Sequence, residues 1–274
     1  MGVPHTIPPQ AQAIDTDLWN AVAQRPALRR AWHMLDLGIR PESVWEFNSN
    51  LEAMTDQERL AAAHAARRLG FLDRTVNAAA NTELEHNFKD RYPMPMFGIL
   101  GQEAINSGLS PHWVYGLIRQ ESRFMKAARS HVGATGLMQL MPATAKMVGK
   151  QLGLSRQQMK DINDPTVNSQ LGTHYLSSIT QRLDQSPVLG SAAYNAGPGR
   201  PASWRSGLTK SISGAAFAET IPFRETRGYV KNVLANALVY GLVYEQKPWT
   251  LTELLGTIGA KEATSLGVLC CKKP

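Results

Sequence analysis

The sequence predicts a mostly helical chain built as two units that meet at a proline break. Three observations carry this reading. Apolar residues recur at helical spacing in segment after segment from Leu18 to Leu238. Helix starts are written as a capping residue followed by proline, at Ser110-Pro111 and Asp164-Pro165. Two prolines in Tyr92-Pro93-Met94-Pro95 interrupt the pattern where one unit should give way to the next.

Residues 1–17 hold three prolines and no helical pattern, and are expected to be a disordered leader. Residues 18–92 read as short amphipathic helices. One carries Leu28, Trp32 and Leu35 and stops at Gly38; Pro41 opens the next, with Val44, Trp45 and Phe47. Thr55-Asp56-Gln57-Glu58 is a capping box, and Gly70 closes the helix that it starts. Such hairpins stack either into a curved solenoid or into a small bundle, and no strict repeat chooses between them. The second unit is assigned to 93–250, and 251–274 to a C-terminal tail.

At 274 residues and 43% hydrophobic content, with six Trp, the chain has material for real cores. Lys and Arg number 29 against 22 Asp and Glu, a formal charge of +7 that favours an anionic polymer or surface. Nucleic acid is one such polymer, but the basic residues are scattered and no nucleic-acid recognition signature is present. The only cysteines, Cys270 and Cys271, are adjacent and terminal, so they cannot staple distant parts of a fold. The N-terminus shows no secretory signal, and no run reaches the length of a membrane span.

The second unit concentrates the chemistry. Val114, Leu117, Ile118 and Glu121 follow Pro111 on one helical face, so the carboxyl is aligned with apolar neighbours. Desolvation there disfavours the charged form and raises the pKa, as a general acid near neutrality requires. The next acid after Glu121 is Asp161, and Asp164 reads as a helix cap, so this stretch offers one carboxylate rather than the flanking pair of most glycosidases. Gly133 to Pro142 reads as a tight glycine-rich turn opening a helix. Ser191 to Gly199 reads as a small-residue helix end running into Gly-Pro-Gly. Ile221-Pro222-Phe223 begins a helix whose buried side holds Tyr229, Val230, Val233, Leu234 and Leu238.

Four segments in order, Glu121-Ser122-Arg123-Phe124, Gly133 to Pro142, Ala193-Tyr194-Asn195-Ala196-Gly197-Pro198-Gly199 and Glu219 to Val230, resemble the catalytic domain of the soluble lytic transglycosylases. The region before Tyr92 resembles the linker domain that precedes it. The resemblance implies a lysozyme-like α+β catalytic domain at 93–250 behind a helical-hairpin linker domain at 18–92. It implies cleavage of the β-1,4 bond between N-acetylmuramic acid and N-acetylglucosamine in peptidoglycan, leaving a 1,6-anhydro ring.

Position by position, Glu121 matches the family's catalytic acid. Ser130, Gln139 and Met141 match positions lining the sugar subsites, with Gln139 expected to hold acetamido groups. Tyr194 matches the aromatic facing the reacting sugar and is expected to supply a supporting hydrogen bond; Asn195 is its neighbour. Glu219 matches a second, buried glutamate of the cleft with a positioning role. No metal or cofactor is called for. Glycan strands are the expected partner, with nucleic acid not expected. The family's long superhelical ring is not seen ahead of the linker domain, and the periplasmic location that the resemblance implies has no visible signal. A muramidase hydrolysing the same bond and a non-catalytic peptidoglycan-binding module are the competing readings.

Overall fold

The fold is described from a computed structural model, in which residues 6–11, 15–245 and 250–260 are described. The expectations for Cys270, Cys271 and the last part of the tail lie outside these residues. The first unit holds α1 (Thr16–Ala23), α2 (Pro26–Asp36), α3 (Arg40–Leu51), α4 (Asp56–Arg68) and α5 (Leu72–Ala80). Helices α2 and α3 form one hairpin and α4 and α5 another, and α1 lies on α4. The capping box forms as the sequence predicts: Glu58 N donates to Thr55 Oγ1 at 3.3 Å and Thr55 N to Glu58 Oε2 at 2.9 Å. Alanines 61, 62, 63, 65 and 66 of α4 are all buried, and their small size lets helices approach from two sides. Leu28, Phe47, Leu60 and Phe71 fill one shared core between the two hairpins.

The leader is not wholly loose. Ala11 N donates to His86 O at 2.8 Å, and Phe88 N donates to Gln10 Oε1 at 3.3 Å, so residues 10 and 11 are strapped to the far end of the unit. The expected disordered segment is therefore corrected for these residues, and the first helix begins at Thr16 rather than Leu18.

After α6 (Phe88–Arg91) comes the proline break, which is a clamp rather than a hinge. Prolines supply no N–H but leave carbonyls that need donors. Three tyrosines of the second unit provide them: Tyr244 to Tyr92 O at 2.9 Å, Tyr240 to Pro93 O at 3.0 Å and Tyr115 to Pro95 O at 2.7 Å. Val76 of α5 is buried in the second core, so the two units also share packing.

The second unit runs α7 (Phe97–Asn106), α8 (Pro111–Glu121), α9 (Pro142–Gln151), α10 (Pro165–Gln181), α11 (Pro187–Ala196), α12 (Gly199–Ser206), α13 (Gly214–Thr220), α14 (Arg224–Tyr244) and α15 (Leu251–Leu255). Five of these helices carry proline in their first turn, counting α8, α9, α10, α11 and α12. Asp164 caps α10 as expected, accepting from Thr166 N at 2.9 Å and Val167 N at 3.1 Å, whereas Ser110 makes no side-chain cap bond. The β content is slight: β1 (Ile212–Ser213) pairs antiparallel with β2 (Thr257–Ile258), and isolated bridges join Thr135 to Arg129 and Leu140.

Helices α8 and α14 form the central packed pair. A Cβ at Gly116 would sit 2.7 Å from Val233 O and 2.9 Å from Ala237 N, so glycine is what allows their backbones to meet. The expected tail does not start at 251. Thr250 and Glu253 form a second capping box, and Leu255 and Ile258 are buried in the same core as α8 and α14. The Thr-x-x-Glu signature at 250–253 was present in the sequence and announces this helix. Among the described residues no helix is long and apolar enough to cross a membrane.

Candidate active site

Glu121 is the last residue of α8, where the helix ends and the chain reverses. Arg123 and Phe124 both adopt left-handed backbone, with φ of 48° and 67°. That costs energy for non-glycine residues. Burial of the Phe124 ring against Tyr115, 5.8 Å between centroids, offsets it. The reversal leaves the Glu121 side chain at the open end of the helix.

The loop after it is folded by its own polar groups. Ser130 Oγ accepts from Ala134 N at 3.0 Å, and Gln139 Nε2 donates to Ala128 O at 3.0 Å and Gly136 O at 2.8 Å. Buried Asn168 of α10 clamps the loop from below: its Oδ1 accepts from Met138 N at 2.8 Å, and its Nδ2 donates to Thr135 O and Ile162 O. Gly136 has φ +81°, and a Cβ there would lie 2.1 Å from Asn168 Nδ2.

Four hydrogen bonds close a ring through the four sequence segments. Ser122 Oγ donates to Leu137 O at 2.7 Å, tying the first segment to the loop. Tyr194 OH donates to Met138 O at 2.8 Å, tying the loop to α11. Thr226 Oγ1 donates to Asn195 Oδ1 at 2.6 Å, tying α11 to α14. Tyr229 OH donates to Glu121 Oε1 at 2.6 Å and returns to the start.

Burial pushes the Glu121 carboxyl up to about 7, the negative charge of Glu225 adds to the rise, and the Tyr229 hydroxyl opposes it by stabilising the anion. Burial also lifts the Tyr194 phenol well above its ordinary value, and the charge of Glu121 nearby lifts it further. A pocket of about 560 Å³ opens over the carboxyl, lined by Gln120, Glu121 and Asn195 and by Arg224, Glu225, Gly228, Tyr229 and Asn232 of α14. Near neutral pH this arrangement holds a proton on a half-buried acid facing a polar groove.

The expected site residues fall into three groups. Glu121 and Asn195 line the pocket, and half-buried Tyr194 is close enough to sense the Glu121 charge. Ser130, Gln139 and Met141 belong to the loop and do not line this pocket; Met141 is 42% exposed, so it is not a core residue. Two expected contacts change with the geometry. The Tyr194 hydroxyl proton is given to Met138 O, so its oxygen is left to accept, and both amide hydrogens of Gln139 are engaged, so its Oε1 is left to accept.

Glu219 is corrected. It is exposed rather than buried, and Lys231 Nζ donates to it at 2.7 Å, which holds its carboxyl below the usual range. Helical spacing explains this, because Phe217, Ala218 and Ile221 take the buried side. The second carboxylate at the pocket is Glu225, one turn before Tyr229 on the same face of α14. Tyr229 was expected in the core. Its apolar neighbours at i+1 and i+4 hid the fact that its hydroxyl reaches Glu121, and a buried tyrosine needing a partner was the available signal.

Residues 99–212, from α7 to β1, match the transglycosylase SLT domain, and residues 220–248, which span α14, match the soluble lytic transglycosylase helical domain. The chain thus carries a transglycosylase SLT domain behind a helical unit. The chain is homologous to the soluble lytic murein transglycosylases: it is 31% identical to that of Escherichia coli K12 over 230 residues, 84% of this chain and 36% of the relative. An inactive mutant of lytic transglycosylase Slt from Pseudomonas aeruginosa superposes with a TM-score of 0.75 at 35% identity, covering 88% of this chain and 39% of that one. The 70 kDa soluble lytic transglycosylase of Escherichia coli gives 0.75 at 30% identity, covering 91% and 39%. The chain therefore spans little more than a third of the length of these relatives.

Proposed function

We propose that the protein is a peptidoglycan lytic transglycosylase that uses Glu121 first as acid and then as base. The observation that carries this reading is the half-buried Glu121 carboxyl, raised to about 7 and held by Tyr229 at 2.6 Å in a polar pocket. Protonated Glu121 gives its proton to the oxygen joining N-acetylmuramic acid to N-acetylglucosamine, and the glycosidic bond breaks as positive charge develops at C1. The muramyl N-acetyl group stabilises that charge from within the substrate. The Glu121 carboxylate then takes the proton of the same sugar's 6-hydroxyl, whose oxygen bonds to C1 and closes the 1,6-anhydro ring. No water is consumed, and the intramolecular attack replaces a protein nucleophile.

The neighbours take distinct parts. Tyr229 holds Glu121 in one orientation and steadies the anion formed midway. Asn195, whose oxygen is committed to Thr226, turns its amide N–H groups to the sugar. Tyr194 shapes the floor through Met138. Ser130, Gln139 and Met141 serve the strand along the loop, and Glu219 lies outside the reacting centre. The family likeness supports action on the bacterial wall from the periplasmic side.

A second reading, hydrolysis of the same bond, is favoured by one observation: Glu225 lines the pocket and is a carboxylate able to prime water. The likeness to the soluble lytic murein transglycosylases argues against it. Digesting purified sacculi and weighing the released muropeptides tests both. Ends lighter by one water support the lyase; ordinary reducing ends support the hydrolase; no release removes both and leaves a binding module.

A further inference from the structure

The reaction leaves one charged part of the Glu121 pocket without a task. Arg224, in the first turn of α14, lines that pocket beside Glu225. Its side chain is exposed and makes no hydrogen bond or ion pair among the described residues. Two neighbouring cations of α14 are engaged: Arg227 donates to Glu219 O, and Lys231 pairs with Glu219.

The rim next to Arg224 is rigid. Phe223 is 44% exposed, with the Arg200 guanidinium over its ring at 4.9 Å and Trp204 against its edge at 5.5 Å. Arg200 Nη1 donates to Ala196 O at 2.8 Å, which fixes it to the end of the helix that bears Asn195. A guanidinium fork beside a held ring suits a planar carboxylate attached to a short carbon chain. Glu225 next to Arg224 cancels the net charge locally, so the fork rather than bulk attraction must discriminate.

Muramic acid carries such a group on each unit. Its lactyl carboxyl is either free or extended into a peptide that ends in carboxylates. We infer that Arg224, an exposed guanidinium at the Glu121 pocket, is a carboxylate-reading position that favours strands whose muramyl substituent is negatively charged. This rests on the proposed function and adds a specificity determinant to it.

The test compares four glycan preparations: strands with intact peptides, strands stripped of peptide by an amidase, and each of these with its carboxylates converted to amides. KM and kcat are measured for the parent, Arg224→Gln and Arg224→Lys, and strand affinity is measured by calorimetry for the same three proteins carrying Glu121→Gln. The parent is expected to favour carboxylate-bearing over amidated strands by roughly three- to fivefold in KM and in affinity. Arg224→Gln erases that ratio, and Arg224→Lys keeps part of it. Loss of the ratio only with intact peptides assigns the peptide carboxylates, and loss only with stripped strands assigns the lactyl group. A parent with no preference, or a preference that survives in Arg224→Gln, overturns the inference. Absence of turnover in the parent fails the proposed function instead, and the calorimetric ratio still decides the role of Arg224.

Discussion

The hydroxyl of Tyr229 donates to Glu121 Oε1 at 2.6 Å, joining the second turn of α14 to the last residue of α8 across 108 positions of sequence. The bond lowers the carboxyl pKa against the larger effect of burial, and the balance stands at about 7. The reaction needs Glu121 protonated in the free enzyme, so kcat/KM falls as pH rises through about 7. In Tyr229→Phe the anion loses its donor, so this alkaline limb moves to higher pH while kcat drops about tenfold. A pH–rate profile of the two proteins on solubilised strands checks both effects; an unmoved limb contradicts the role given to Tyr229.

Glu225 acts in the opposite sense. Its charge raises the Glu121 pKa, so Glu225→Gln moves the same limb to lower pH. Because Glu225 is not asked to attack C1 or prime water, turnover at low pH stays within about threefold of the parent and the products keep their anhydro ends. Collapse of turnover at every pH in this variant supports the hydrolytic reading.

Stability carries the same signature. The Glu121 pKa is raised in the folded state from the ordinary 4.5 to about 7. The folded protein thus holds a proton that the unfolded chain releases between these values, and stability falls as pH rises across that window. Glu121→Gln has no proton to lose. The variant gains up to about 3 kcal/mol over the parent at pH above 7, and the gain vanishes below pH 4.5. Urea unfolding at the two extremes measures it, and a gain that does not depend on pH disagrees with a buried, proton-holding carboxyl.

Gly136→Ala strikes the loop without touching the pocket. The new Cβ meets Asn168 and the backbone is left-handed, so the clamp on Met138 N is lost. A cost of about 2–4 kcal/mol in denaturant unfolding follows. Through Met138, Tyr194 loses its anchor and activity falls with it. Unchanged stability in this variant contradicts the tight approach at Gly136.

Much of this was legible from local signals. Thr55 and Glu58, Asp164 before Pro165, and the helical spacing of Val114, Leu117, Ile118 and Glu121 specify their helices through neighbours within a turn, so the pattern alone carries them. The contacts that build the site were less so, because they link residues far apart in sequence. The apolar spacing around Tyr229 says that its hydroxyl needs a partner but not that the partner is Glu121, and the spacing of Phe217, Ala218 and Ile221 that turns Glu219 outward says nothing of Glu225, which the packed fold brings to the pocket. The second unit runs past residue 250 for a different reason: Thr250 and Glu253 specify a short helix locally, but only the packed fold brings Leu255 and Ile258 back onto the core.

The central claim is that one carboxyl carries the proton out and back while the substrate's own hydroxyl attacks. Digestion of sacculi in heavy-oxygen water addresses this most directly. The account predicts new muramyl ends free of label from the parent, and no new ends from Glu121→Gln. One labelled oxygen for each bond broken, or cleavage that persists in Glu121→Gln, contradicts it.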